Sequence, residues 1–425
     1  MNPTHTEHDN STTSITSVES ADGPTTAWLT DPQTFAVNRL AAHSDHTCWP
    51  HMPRPGEDGN LTQSLDGEWS VCIMPANEIR FPDGHSTSSA VDDNDSAPNH
   101  DGTCADSQAS AHTNDASPWF AALHIDDSTF ARIVVPSHLE MAGLLPPKYV
   151  NVQYPWDGHE DLEAPAVPAD NHVALYRRVF RPEGEVAKAM REGRRVTLTF
   201  HGAATAVYVW LNGVFVGYGE DSFTPSEFDV TAALRTGLNV LAVACYEYSS
   251  ASWLEDQDFW RLHGLFRSVE LTAHPAAHVA DLNTIADWDP AAKQGLLTVD
   301  ATIEGATHAT VADVTLTDVD GDTVVWQTAT PLVAGTSIAD RSITDTTTTN
   351  TATTNSSITD TGTVHAEAML EGVDPWSAET PNLYTLTVTL YDADGKVLEA
   401  AQTSLGFRRA GHQGRRQGQR HHAAR

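Results

Sequence analysis

"AVYVWLNGVFVGYGED", residues 206–221, decides how the chain is read. Val207, Val209 and Leu211 alternate with Tyr208 and Trp210, a period of two that belongs to a strand rather than to a helix. Asn212 and Gly213 tolerate the positive φ of a two-residue hairpin turn, so "VFVGYG" returns as the partner strand. Strand-like runs lie on both sides: "HVALYRRVF" at 172–180, "RRVTLTF" at 194–200, "LNVLAVACYEY" at 238–248 and "GLFRSVELTA" at 264–273. One short helical turn is expected within "SEFDVTAALRTG", 226–237. Short strands with turns between them and no long helical periodicity indicate a β-sandwich.

A second β unit spans 276–408, with strands expected in "GLLTVDATI", "HATVADVTLTDVDGDTVVWQT", "GTVHAEAMLEG" and "NLYTLTVTLYDADGKVLEAAQTSLGF". Leu386, Val388 and Leu390 alternate cleanly, and "DADGK" is the turn between two strands. An immunoglobulin-like sandwich of roughly 100 residues is the natural match in size.

The remaining segments differ in composition. Residues 1–23 carry almost no large apolar side chain and are expected to be a disordered tail. Residues 24–60 hold Trp28, Leu29, Phe35, Val37, Leu40 and Trp49, too apolar for a solvated arm, and are expected to dock onto the protein's own body or a neighbouring subunit. The unit from 61 to 275 contains a polar insertion at 81–115, and the second unit contains a Thr-rich loop at 336–362. The tail 409–425 is basic. Six arginines and no acidic residue occur from 406 to 425, leaving 18 basic against 57 acidic groups before it, a charge of −39. The abrupt start of this tail fits a stretch translated in a shifted reading frame.

The whole chain carries −33, which repels phosphate backbones and anionic lipid and excludes nucleic acid as a partner class. No apolar run of about 18 residues occurs, so no membrane span is expected. The start, "MNPTHTEHDNSTTS", lacks the basic and apolar regions of a signal peptide, and the reading is a cytoplasmic protein. Cys48, Cys72, Cys104 and Cys245 are irregularly spaced with no metal-ligand pattern, and are read as buried or incidental thiols.

Eight motifs in order carry a resemblance: "NRLAAH" (38–43), "SLDGEW" (64–69), "VPSH" (135–138), "YVNVQYPW" (149–156), "VWLNGVFVGYGEDSFTPSEFDVT" (209–231), "WLEDQDFWRLHGLFRSVEL" (253–271), "DPWSAETPNLYTLTVTL" (374–390) and "LGFRR" (405–409). Together they resemble the amino-terminal part of a bacterial β-galactosidase of the second glycoside hydrolase family. The resemblance implies an all-β chain: a galactose-binding-like jelly roll, then an immunoglobulin-like sandwich. In the family a catalytic TIM barrel follows, which needs about 250 residues, whereas only 16 follow Arg409. The implied parent activity is hydrolysis of terminal β-D-galactosides such as lactose, and the chain alone is expected to be inactive. The alternative is a non-catalytic carbohydrate-binding or structural β-sandwich protein.

Retaining glycosidases need two carboxyl groups about 5–5.5 Å apart. The family carries both on the barrel, and no catalytic residue is assigned here. Glu255, Asp256 and Asp258 are the best local candidates, and Asn77-Glu78 is set aside because it ends an early strand. Two residues match family positions that reach the sugar: Asn151 in "VNVQYP" and Asp258 in "EDQDFW", the latter also implied to help hold sodium. An amide offers donor and acceptor to a hydroxyl, and a carboxylate suits a hard cation. Magnesium is implied only for the full-length enzyme. Trp253, Phe259, Trp260, Leu265 and Phe266 are expected to fill core or interdomain contacts, Arg261 to pair with Glu255 or Asp256, and His263 to be a satisfied packing residue. Tyr154, Trp156 and Trp210 fit a sugar subsite or a core equally. The resemblance also implies homo-oligomeric full-length enzymes, with the segment before the first sandwich helping assembly.

Overall fold

The computed structural model describes residues 23–54, 56–57, 59, 61–81, 117–255, 258–318, 324–334 and 360–409. The expected amino-terminal tail, polar insertion, Thr-rich loop and basic tail, all but their edge residues, lie outside the described residues, as does Asp256. Two compact units are formed, one from residues up to Ala41 with Thr62–Ala273, the other from Ala42–Leu61 with residues from His274 onward.

In the first unit, Ala206–Leu211 and Val214–Glu220 form the expected hairpin, with Leu211 opposite Val214 and Asn212 and Gly213 at φ 55° and 81°. They sit in a seven-stranded antiparallel sheet ordered Ala36–Val37, Val214–Glu220, Ala206–Leu211, Asn239–Tyr246, His172–Phe180, Gly67–Pro75 and Ala131–Val135. A second antiparallel sheet is ordered Ser226–Asp229, Val196–Phe200, Val269–Ala273 and Thr62–Ser64. One face of the larger sheet packs on the smaller, joining Val207, Val209, Leu211 and Val243 with Leu198, Phe200, Phe228 and Leu271. Its other face is also buried, because Tyr208, Trp210 and Tyr246 are covered by Trp28, Leu29, Phe81 and Phe120. Burial on both faces explains a strand with no polar residue, in which branched side chains face one core and rings the other. A Cβ at Gly217 would meet the Phe228 ring at 2.5 Å and the Val37 carbonyl at 2.7 Å, so the hairpin's return strand needs glycine where the two sheets and the amino-terminal strand converge.

A nine-residue helix, Gly184–Glu192, escapes the strand reading. It buries only Val186 and Ala189 and stops at Gly193, which adopts φ 68° and donates to Ala189 and Met190 carbonyls. The helical turn expected in 226–237 is a single turn, with the Ala233 and Leu234 amides both reaching the Val230 carbonyl.

The second unit pairs a four-stranded sheet (His278–Asp289, Gln294–Glu304, Thr361–Glu371, Val333–Ala334) with a five-stranded one (Val324–Pro331, Val311–Thr317, Tyr384–Tyr391, Val397–Leu405, Thr47–Trp49). Val299, Ile303, Val314, Leu316, Leu386, Val388 and Leu390 fill the space between them. Alternation is regular in Gln294–Glu304, where every second residue turns inward. The architecture is thus all-β and built from packed sheets.

The apolar segment 24–60 supplies a strand to each unit. Ala36–Val37 pairs with Val214–Glu220 in the first, and Thr47–Trp49 pairs with Val397–Leu405 in the second. Cys72 is disulfide-bonded, which corrects its reading as a thiol; Cys48 and Cys245 are free. Among the described residues no helix is long and apolar enough to cross a membrane.

Candidate functional site

The site is built on a two-residue ladder in the first unit. Lys148–Tyr149 pairs antiparallel with Trp260–Arg261, placing Tyr149 opposite Trp260 and Lys148 opposite Arg261. The ladder brings the stretch just before Asn151 beside the stretch just after Asp258. The Tyr149 hydroxyl donates to Asp258 Oδ1 at 2.7 Å, and the Tyr149 and Trp260 rings lie 5.4 Å apart. That hydrogen bond, with the carboxylate charge behind it, raises the Tyr149 phenol above its ordinary range.

Asn151 is exposed in the loop leaving Tyr149. The residue before it is held: the buried Arg261 guanidinium donates to the Val150 carbonyl at 3.0 Å and to the Phe259 carbonyl, and stacks 5.2 Å over the Phe259 ring. Arg261 therefore fixes both segments through backbone carbonyls. Glu255 is turned to Ser222 instead, accepting from its amide at 2.8 Å and its hydroxyl at 2.6 Å. Burial raises the Glu255 carboxyl, against the pull of those two donors.

Below the ladder a buried carboxylate anchors it. Glu247, 3% exposed, accepts from Lys148 Nζ at 2.7 Å and meets His172 Nδ1 at 2.9 Å. Burial would raise its carboxyl, but the His172 hydrogen bond and the charges of His263 and Lys148 outweigh it and hold it at about 2. His263 is itself buried against Glu140, which accepts from its amide at 2.8 Å and lies 2.7 Å from its Nδ1. Neither Tyr149 nor Glu247 is singled out by the sequence. The only sign of Tyr149 is its place two residues before Asn151.

The rings divide in a way that the sequence does not foretell. Leu265 is fully buried and Trp210 belongs to the core that includes Trp28, but Trp260 is 56% and Phe259 37% exposed, so of the two readings given them, core or interdomain contact, the core one does not hold. Tyr154 stacks on Trp156 at 5.0 Å, its hydroxyl bonded to the Trp253 carbonyl. A small cleft of about 50 Å³ is lined by Phe223, Phe259, Trp156, Tyr248 and His263. An exposed carboxylate, an exposed amide and exposed rings on one braced surface can hold a polyol by hydrogen bonds and ring stacking. For a hard cation, the oxygen donor at Asp258 is chemically suitable, while among the described residues no group of three His, Cys, Asp or Glu side chains converges there.

Residues 62–275 match the family described as "Glycosyl hydrolases family 2, sugar binding domain", and residues 277–408 match "Glycosyl hydrolases family 2". A "Beta-galactosidase BgaC" of Bifidobacterium adolescentis is 43% identical over 397 residues, covering 90% of this chain and 32% of that protein. A β-galactosidase of Lactobacillus delbrueckii subsp. bulgaricus is 39% identical, covering 90% and 31%. The chain spans about a third of the length of these curated relatives. A solved structure of a calcium-binding mutant of Bacteroides uniformis β-glucuronidase 2 shares the fold, with TM-score 0.51 at 17% identity over 81% of this chain and 32% of that one. By its two matched segments, which run in order through both sandwiches, the chain belongs to glycosyl hydrolase family 2.

Proposed function

We propose that this chain is the sugar-contacting amino-terminal part of a β-galactosidase that hydrolyses terminal non-reducing β-D-galactosides. Its first unit is a galactose-binding-like jelly roll and its second an immunoglobulin-like sandwich. Asn151 and Asp258 contact the galactosyl unit, and Asp258 contributes to a sodium site. The observation that supports the reading is the ladder pairing Tyr149, two residues before Asn151, with Trp260, two residues after Asp258, together with the hydrogen bond from Tyr149 to Asp258.

The chemistry divides accordingly. Retaining hydrolysis needs an acid/base and a nucleophilic carboxyl group about 5–5.5 Å apart. Those two groups come from a (β/α)₈ barrel, which the described residues do not build. This chain's residues supply orientation: the Asn151 amide both donates to and accepts from hydroxyls, and the Asp258 carboxylate accepts with the strength of a charged group. A sodium ion bound there would offset the carboxylate charge and orient a hydroxyl. Exposed Trp260 and Phe259 complete an apolar edge that the barrel covers. Magnesium belongs to the full-length enzyme and takes no residue of this chain.

The purified 425-residue chain, freed of host enzyme, is incubated with a chromogenic β-galactoside. The expected result is no hydrolysis above buffer. Turnover that scales with chain concentration and is lost in a Glu255→Gln variant would place catalysis in this chain and overturn the reading.

A further inference from the structure

Outside the sugar-facing edge, the second unit gathers a set of donors that the carbohydrate chemistry does not use. Cys48, His278 and Glu399 each offer a ligand atom, and the three atoms lie within 4.8 Å of one another. Their convergence follows from the strand register. Cys48 stands opposite Ala401, so Glu399, two residues earlier on that strand, is its diagonal neighbour on the same face. His278 opens the strand His278–Asp289, and Glu399 ties it down: Oε1 lies 2.9 Å from His278 Nδ1, and Oε2 accepts from the Val279 amide at 2.6 Å. Glu399 is fully buried, while Cys48 and the His278 side chain are only partly so, which leaves an approach from solvent. The thiol of Cys48 is free.

From this arrangement we propose that Cys48, His278 and Glu399 bind a zinc ion that staples the amino-terminal strand Thr47–Trp49 into the second unit. Donor chemistry selects the metal. Sulfur, imidazole nitrogen and carboxylate oxygen together are a borderline-soft set that suits zinc and disfavours sodium, magnesium and calcium, which take oxygen.

The geometry lies within reach of a tetrahedral site. Bonds of about 2.0–2.3 Å put the donor atoms of such a site roughly 3.3–3.7 Å apart. A pair at the 4.8 Å bound would close by about 1 Å, and the 2.9 Å His278–Glu399 contact opens by less than that. Glu399 keeps its bond to the Val279 amide throughout, and water fills the fourth position. On binding, the metal takes the lone pairs of the sulfur, the imidazole nitrogen and the carboxylate; the Cys48 thiol proton, and any proton on His278 Nδ1, leave to solvent. Nearby imidazoles sit outside this set. His46 Nε2 contacts the Val279 carbonyl at 2.8 Å, and the His274 ring packs 4.4 Å from that of His278.

The test uses the metal-free full chain titrated with cobalt(II) and then zinc. The expected result is a cobalt–thiolate charge-transfer band that saturates at one equivalent and is discharged by zinc. Cys48→Ser removes the band and weakens zinc by more than about 100-fold, since loss of an outer hydrogen-bond partner alone costs about 10- to 100-fold. Cys245→Ser, at the other free thiol among the described residues, leaves band and affinity unchanged. Absence of the band in the wild type, or its persistence in Cys48→Ser, overturns the proposal. As a check that needs no variant, zinc protects Cys48 of the wild type from iodoacetamide, and labelling at the same rate with and without zinc contradicts the site.

Discussion

Tyr149 and Asp258, 109 residues apart in the chain, are joined by a 2.7 Å hydrogen bond from phenol to carboxylate across a ladder of two residue pairs. The bond makes the tyrosine a reporter of its neighbour. A proton leaves the phenol less readily beside a negative charge that accepts from it, so Tyr149 ionises above the ordinary tyrosine value of about 10. In Asp258→Asn the charge is gone and the Tyr149 titration moves down toward that value. The ring-carbon chemical shift of labelled tyrosine, followed through alkaline pH, reads the change. A titration identical in both proteins would show that the contact is not formed in solution.

Glu247 gives a pH-dependent prediction with a defined sign. Its carboxyl is held at about 2, below the ordinary value, so its contribution is present above about pH 4.5 and is lost as pH falls toward 2. His172 is raised by its hydrogen bond to Glu247, so its contribution is present below about pH 6.5 and is lost as pH rises through the raised value. Both act together between about pH 4.5 and 6.5. Glu247→Gln is expected to cost about 2–4 kcal/mol at pH 6, in keeping with a shift worth about 3 kcal/mol and with the loss of a buried partner. Urea unfolding of both proteins from pH 3 to 8 checks it. The difference between them is largest near pH 5–6 and shrinks on the acid side; a pH-independent difference contradicts the assignment.

Trp28 tests the amino-terminal segment. Its ring is parallel to Tyr208 at 5.8 Å and packs on Tyr218 at 5.4 Å, closing the outer core of the first unit. Trp28→Ala is expected to cost about 3–5 kcal/mol, which lowers the melting temperature of the first unit by roughly 10 °C. Calorimetry measures the transition directly. A shift within about 2 °C means that the segment is peripheral to the fold.

How far the sequence reveals all this depends on the range over which each signal acts. The hairpin at 206–221 is legible because strand period and turn chemistry are both local, and the two cores follow from alternating branched and aromatic side chains. The helix Gly184–Glu192 escapes notice because it is short: Val186, Ala189 and Met190 do recur at i, i+3 and i+4, but in nine residues that stripe spans little more than one turn. At the site, Asn151 and Asp258 are visible only through motif resemblance; nothing in their spacing announces that Tyr149 will meet Trp260, a ladder of two pairs closing a loop of more than 100 residues. Phe259 and Trp260 look like core residues in composition. Their exposure comes from the very short strand, which presents the Trp260 ring to Tyr149 rather than to either sheet. The Cys48, His278 and Glu399 cluster is equally hidden, since register alone brings a residue from the amino-terminal segment beside two others more than 200 residues away.

The central claim, that this chain contributes a sugar-contacting edge rather than the reacting groups, is tested most directly by transplanting it. Residues 24–408 replace the corresponding stretch of the Bifidobacterium adolescentis β-galactosidase, to which the chain is 43% identical, and kcat/KM for a chromogenic β-galactoside is measured with and without sodium. The hybrid is expected to be active, and Asp258→Ala within it to lower kcat/KM by about 10- to 100-fold while abolishing the sodium response, as loss of a hydrogen bond to a charged group should. An active hybrid in which Asp258→Ala leaves both kcat/KM and the sodium response unchanged would contradict the account.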